Sequence, residues 1–119
     1  MPDNRFLVVE SDPDMSYLLK RQLEKEFPGC EVYCATSSRE AVAALEPKVS
    51  AVITNQGSTD CDGMTLVANI RKGDADVPII TIGEEPQRTA AFRAGASAFV
   101  PASDWSSVGS QVSCALARN

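Results

Sequence analysis

The chain has 119 residues, 44% of them apolar and 23% charged, with a formal net charge of −5. That length and composition set one globular domain with a core of its own, and the acidic balance argues against a nucleic-acid surface, which needs a basic stripe. The absence of histidine excludes His-dependent hydrolysis and His-ligated metal centres.

Arg5 to Glu10 opens the chain with Phe6-Leu7-Val8-Val9, a continuous apolar run of the kind found in a strand covered on both faces. Ser11 or Asp12 can cap the helix that follows. Pro13 fits its first turn, where a missing N–H costs nothing, and Asp14 suits its positive end. Met15, Leu18, Leu19, Leu23 and Phe27 recur at helical spacing until Pro28-Gly29 stops the pattern. Glu31 to Thr36 reads as the second strand. Ser37 and Glu40 form a capping box for a short helix through Ala41, Val42, Ala44 and Leu45, which Pro47 breaks.

Val49 to Thr54 is the third strand and ends at Asn55. A polar loop leads to a helix carrying Met64, Leu66, Val67 and Ile70, where Arg71-Lys72 complements the negative end and Gly73 can serve as a left-handed cap. Val77 to Ile82 is the fourth strand, and Gly83-Glu84-Glu85-Pro86 is a loop. Gln87 to Ala94 is an Ala-rich helix ended by Gly95. Ala98 to Val100 is the fifth strand, and Ser103 or Asp104 caps a last helix with Trp105, Val108, Val112 and Leu116 on its inner face.

No pair of the four cysteines, Cys30, Cys34, Cys61 and Cys114, has Cys-x-x-Cys spacing. They read as free thiols in a reducing cytoplasm, with Cys30 and Cys34 on one face of a strand. The N-terminal apolar run is too short for a signal peptide, and no run approaches membrane-spanning length. Five strand–helix units joined by short links indicate an α/β domain: a flavodoxin-like (βα)5 doubly wound parallel sheet of order 2-1-3-4-5 over residues 1–119. Function in such a sheet sits at the carboxyl ends of strands one and three, which places Glu10-Ser11-Asp12 beside Asn55, with Gly83 and Ala102 at the ends of strands four and five.

Three carboxylates in the first loop, Glu10, Asp12 and Asp14, repel a phosphate unless a cation intervenes, so a flavodoxin-type cofactor does not suit. Glu10 and Asp12 are the candidates for holding magnesium, with Asn55 lending a neutral oxygen. The plainer alternative makes Asp12 a helix cap, Glu10 a solvated strand end and Asn55 a turn residue whose side chain bonds nearby backbone.

Val8-Val9-Glu10-Ser11-Asp12-Pro13, Thr54-Asn55, Asp62-Gly63-Met64, Val77-Pro78-Ile79-Ile80 and the run from Ala94 to Pro101 together resemble the receiver domain of bacterial response regulators over nearly the whole chain. The resemblance implies magnesium on an acidic pair after the first strand and phosphate on an aspartate ending the third. It also implies a Thr or Ser after the fourth strand and a Lys after the fifth that read the phosphoryl group. Here the acidic pair falls on Glu10 and Ser11, the acceptor on Asn55, the switch hydroxyl on Gly83 and the lysine on Ala102. The loop residue lending a carbonyl to the metal falls on Gly57, and Thr81 lies two residues before the switch position. A carboxamide carries no anion to attack phosphorus, and glycine and alanine supply no donor for the developing charge.

The expectation is therefore a pseudo-receiver, without enzymatic activity and without aspartyl phosphorylation, that needs no cofactor. It would act as a protein-interaction module of two-component signalling, alone or within a longer regulator. Restoring an aspartate at position 55 alone is not expected to restore switching. In this family the face built from the fourth helix, fifth strand and fifth helix commonly dimerises or docks partners. The resemblance thus points to Gln87–Ala94, Phe99 and the helix from Asp104 as the interaction face, for a homodimer or a kinase or effector domain, with Trp105 either a partner contact or a buried anchor. A rival reading is a ligand or divalent-metal binder that reuses the crevice lined by Glu10, Asp12, Asn55 and Asp60.

Overall fold

The computed structural model describes residues 4–46, 48–55 and 63–117. Pro47, Gly57, Asp60, Cys61 and Asp62, singled out above, lie outside the described residues.

The strands are β1 (Arg5–Val9), β2 (Glu31–Ala35), β3 (Ala51–Asn55), β4 (Ile79–Gly83) and β5 (Ala98–Pro101). The helices are α1 (Pro13–Glu26), α2 (Ser38–Ala43), α3 (Gly63–Gly73), α4 (Arg88–Ala94) and α5 (Val108–Ala117). All strand pairs are parallel, in the order β2-β1-β3-β4-β5, the order expected from five right-handed strand–helix units.

Alternation along the strands sorts the core into two layers. Phe6, Val8, Ala51, Ile53, Ile80, Ile82, Ala98 and Val100 meet Leu19 and Leu23 of α1 and Val108, Val112 and Ala115 of α5. Leu7, Val9, Val52 and Ile79 meet Ala41 of α2 and Leu66, Val67 and Ile70 of α3. Ala91 of α4 joins Ala96 and Phe99 in a smaller cluster. Because both faces are covered, the central strands have no polar side, which is why their sequences run apolar without a break. Each fully buried Leu, Ile or Val contributes about 1.5–3 kcal/mol relative to exposure.

The capping signals act as their chemistry dictates. Asp12 is the N-cap of α1 and its side chain accepts from Asp14 N–H at 2.9 Å. Ser37 Oγ accepts from Glu40 N–H at 3.1 Å, while Glu40 reaches back to Thr36 N–H at 3.1 Å. Gly95, at φ 120°, ends α4 in a conformation open to glycine.

Several local expectations differ from the structure. Gly73 does not take a left-handed cap: it is the last residue of α3, and Gly29 and Gly95 are the glycines with positive φ among the described residues. Leu18 is 38% exposed, on the outer side of α1. Gly83 is not loop but the buried last residue of β4, paired with Pro101, and a 3-10 turn at Glu85–Gln87 precedes α4. Neither Ser103 nor Asp104 caps α5. Ala102–Ser107 forms a 3-10 turn with a kink at Asp104, and α5 begins only at Val108. Trp105 therefore belongs to the turn. It is half-buried and packs against the α1/α5 layer, as Leu116 does.

The turn from α3 into β4 is tied by Asp74, whose Oδ1 accepts from Asp76 N–H at 2.9 Å and Val77 N–H at 3.0 Å. These backbone donors, Asp76 first, outweigh burial and hold the carboxyl below its usual range. A carboxylate with a depressed folded-state pKa stabilises the fold above its unfolded pKa and ceases to do so as pH falls through the folded value. The amides of Asp76 and Val77 are expected to lose protection from hydrogen exchange as pH falls through the folded value, below the ordinary aspartate range. Protection of both amides unchanged by Asp74→Ala at neutral pH would show that Asp74 does not hold this turn.

Candidate functional site

The register explains what stands at the crevice. Val8 pairs with Ile53 and Val9 with Thr54. One step further along both strands sets Glu10 beside Asn55, on the α1/α5 side of the sheet. The Asn55 Nδ2 amide donates to Glu10 Oε1 at 2.6 Å, and Asp12 N–H donates to Glu10 Oε2 at 3.0 Å. The backbone of Glu10 is engaged too: its N–H donates to the Ala35 carbonyl at 2.9 Å, and its carbonyl accepts from Ser16 Oγ at 3.4 Å.

Glu10 is thus not a solvated strand end. It has no exposed surface at all, because two donors replace the water its carboxylate would otherwise need. Asn55 reaches across to the neighbouring strand through the bond to Glu10. Asp12 is exposed and serves as the helix cap, and Ser11 is exposed beside it.

Asn55 pairs with Ile82 of β4, and Gly83 pairs with Pro101 immediately before Ala102. The structure therefore gathers the strand-end positions Glu10, Asn55, Gly83 and Ala102 along one edge of the sheet. Gly83 is buried, and Ala102 is half-buried against the α1/α5 layer.

The donors that line this edge do not suit magnesium, which wants oxygen ligands, usually one or two carboxylates together with waters and substrate oxygens. The only carboxylate in the crevice base among the described residues is Glu10, and both its oxygens already accept hydrogen bonds. Asn55 turns its nitrogen, not its oxygen, toward Glu10. Among the described residues no group of three His, Cys, Asp or Glu side chains is placed to hold a metal ion.

Two threonines add a feature the residue pattern did not expose. Thr54 and Thr81 are register partners on the opposite face of the sheet from Asn55, both with no exposed surface and both with hydroxyls that have no hydrogen-bond partner among the described residues. Thr81 lies one pleat deeper in β4 than Gly83, so its hydroxyl is enclosed in the core layer and does not reach the strand edge.

Toward β5, Phe99 is 7% exposed, and the Arg88 guanidinium lies over its ring, 4.9 Å from the centroid. Arg88 is itself held by Glu85 through two hydrogen bonds of 2.9 and 2.8 Å. Phe99 thus lies beneath the α4–β5 surface. Phe92, one helical turn after Arg88, is 44% exposed and presents the larger apolar area there.

A hollow of about 640 Å³ lies at the other end of the sheet, between α2 and α3, lined by Val42, Leu45, Val49, Ile70 and Val77. It is remote from the strand-end crevice.

The profile of the response regulator receiver domain matches residues 6–102. The transcriptional regulatory protein GlrR of Escherichia coli K12 is 34% identical over 98 residues, which are 79% of this chain and 22% of the relative. An uncharacterised 14.6 kDa protein of Leptolyngbya boryana is 35% identical over 98 residues, 75% of this chain and 71% of that protein. The chain spans 22% of the length of GlrR and of its counterpart QseF in Escherichia coli O157:H7. In three dimensions the chain matches a protein of Chloroflexus aurantiacus assigned to the response regulators, with a TM-score of 0.87 and 26% identity over 99% of this chain and 100% of the other. A two-component response regulator of Clostridium difficile shares the fold with a TM-score of 0.84 at 22% identity, over 98% of each chain.

Proposed function

The chain belongs to the response regulator receiver domain family, and from that premise we propose that it is a receiver that takes no phosphoryl group and serves two-component signalling as a protein-interaction module. One observation carries this reading. Where the resemblance puts the acceptor aspartate stands Asn55, whose carboxamide donates a hydrogen bond to buried Glu10. A donating amide nitrogen is no nucleophile, and no anionic oxygen is offered to phosphorus at that position. Gly83 and Ala102 place no hydroxyl and no ammonium at the adjacent strand ends, so the charge that develops on a transferring phosphoryl group would meet neither.

What is left for partners is surface. Phe92 is exposed on α4, Arg88 covers Phe99 beside it in β5, and the half-buried Trp105 stands in the turn after β5 against the α1/α5 layer; aromatic residues of this kind are enriched at interfaces. The partners we assign to this surface are a second copy of the domain, a kinase or an effector domain of the same regulatory system.

Incubation with a small phosphodonor and magnesium is expected to leave the intact mass unchanged. Appearance of an acid-labile phosphate adduct would overturn the proposal.

A further inference from the structure

The Glu10 carboxylate is sealed from solvent, and an ionised group in that position is costly unless donors or a cation meet it. Both of its oxygens are met from within the chain. Oε2 takes the Asp12 N–H from the adjoining loop, and Oε1 takes the Asn55 amide from 45 residues away in sequence. The second bond spans β1 and β3 at their carboxyl ends, and at 2.6 Å it is of the short, charge-assisted kind. A dication seated between two oxygen-bearing side chains would make the same cross-strand tie, but here the amide hydrogens point at the space it would need.

We propose that the Asn55 carboxamide is the permanent internal partner of Glu10, doing by hydrogen bonding what a divalent cation would do by coordination. The crevice is therefore set in one arrangement that neither requires nor admits magnesium. This rests on the reading of Asn55 as the acceptor position and adds to it a statement about regulation: the tie between β1 and β3 is made during folding and is not under the control of ions. Replacing the amide by a carboxylate turns the attractive contact into one between two anions at the same short separation.

The test has two arms. In the first, the unmodified protein is titrated with millimolar magnesium chloride and followed by NMR and thermal unfolding. The expected result is an Asn55 side-chain NH2 signal that exchanges slowly with water and does not move, and a melting temperature that does not change. Saturable shifts at Glu10, Ser11, Asp12 and Asn55, or a magnesium-dependent rise in melting temperature, would overturn the inference.

In the second arm, Asn55→Asp without magnesium is expected to melt roughly 10 °C below the unmodified protein. A variant as stable as the parent would show that the tie contributes nothing. Should the variant not fold, the first arm decides alone. Magnesium binding by the unmodified chain without a phosphate adduct removes this inference and leaves the proposed function standing; an adduct removes the proposed function itself.

Discussion

Replacing Arg71 by alanine is expected to lower the free energy of unfolding by about 3 kcal/mol, one of the two largest single-residue effects argued from this structure. Arg71 stands in the last turn of α3, but its guanidinium does far more than complement a helix end. Nε donates to the Gly95 carbonyl at 2.8 Å, one terminal nitrogen donates to the carbonyls of Val77 at 2.6 Å and Asp74 at 3.3 Å, and the other donates to Ser97 Oγ at 3.2 Å. Ser97 Oγ in turn accepts from Ile79 N–H at 3.0 Å.

One side chain thus holds the end of α3, the turn into β4 and the link from α4 to β5. Burial pushes the guanidinium below its ordinary pKa range, with Asp74 and Asp76 pulling the other way, so the group remains charged. Removing it leaves three half-buried carbonyls short of a donor, each costing on the order of 1 kcal/mol after discounting for partial exposure. Arg71→Lys should recover only a minority of the loss, because a single ammonium cannot span the fork. Urea midpoints for the two variants check this, and an alanine variant within 0.5 kcal/mol of the parent (about the scatter of neutral surface changes) would refute the clamp.

The second large effect is expected where α1 and α5 cross. A Cβ added at Gly109 would lie 2.9 Å from the Gln22 carbonyl oxygen and 3.1 Å from Glu26 Cβ, and the first of these is backbone that cannot step aside. Two effects compete in Gly109→Ala. Alanine gains about 1 kcal/mol of helix propensity, while the contact costs about 1–3 kcal/mol as overpacking, so a net loss near 1 kcal/mol is expected. Gly109→Val keeps the clash, adds two methyl groups and surrenders part of the propensity gain; about 3 kcal/mol is expected. Denaturant unfolding of the pair measures the difference, and a valine variant no weaker than the alanine one would show that the helices are free to separate.

The strands and helices were legible in the sequence because their signals are local. Phe6–Val9, Val49–Thr54 and Val77–Ile82 are short β-branched or apolar runs bounded by turn residues, and Asp12, Ser37 and Gly95 carry caps whose geometry depends on neighbours within a few residues. The strand order followed from alternation and handedness, and the family resemblance was carried by the same strand-end stretches.

Elsewhere the missing information was distant. Glu10 read as solvated because its burial depends on a donor 45 positions away. Arg71 read as a helix-end cation because its acceptors come from two other links. Ser103 and Asp104 offered ordinary capping chemistry, but Trp105 packs against the α1/α5 layer from a kinked 3-10 turn, and the helix starts three residues after it. The Thr54–Thr81 pair gave no signal, since threonine in a strand is unremarkable until its neighbours are known.

The order β2-β1-β3-β4-β5 also bears on how the molecule is assembled. Once β2 and β3 have settled on either side of β1, β4 adds to the open edge of β3 and β5 to the open edge of β4. No strand has to be inserted between two that are already joined, so from β3 onward each strand adds to an edge the earlier ones leave open. The Glu10–Asn55 bond joins the first and third strands of this order, so its two partners are brought together without any strand beyond β3.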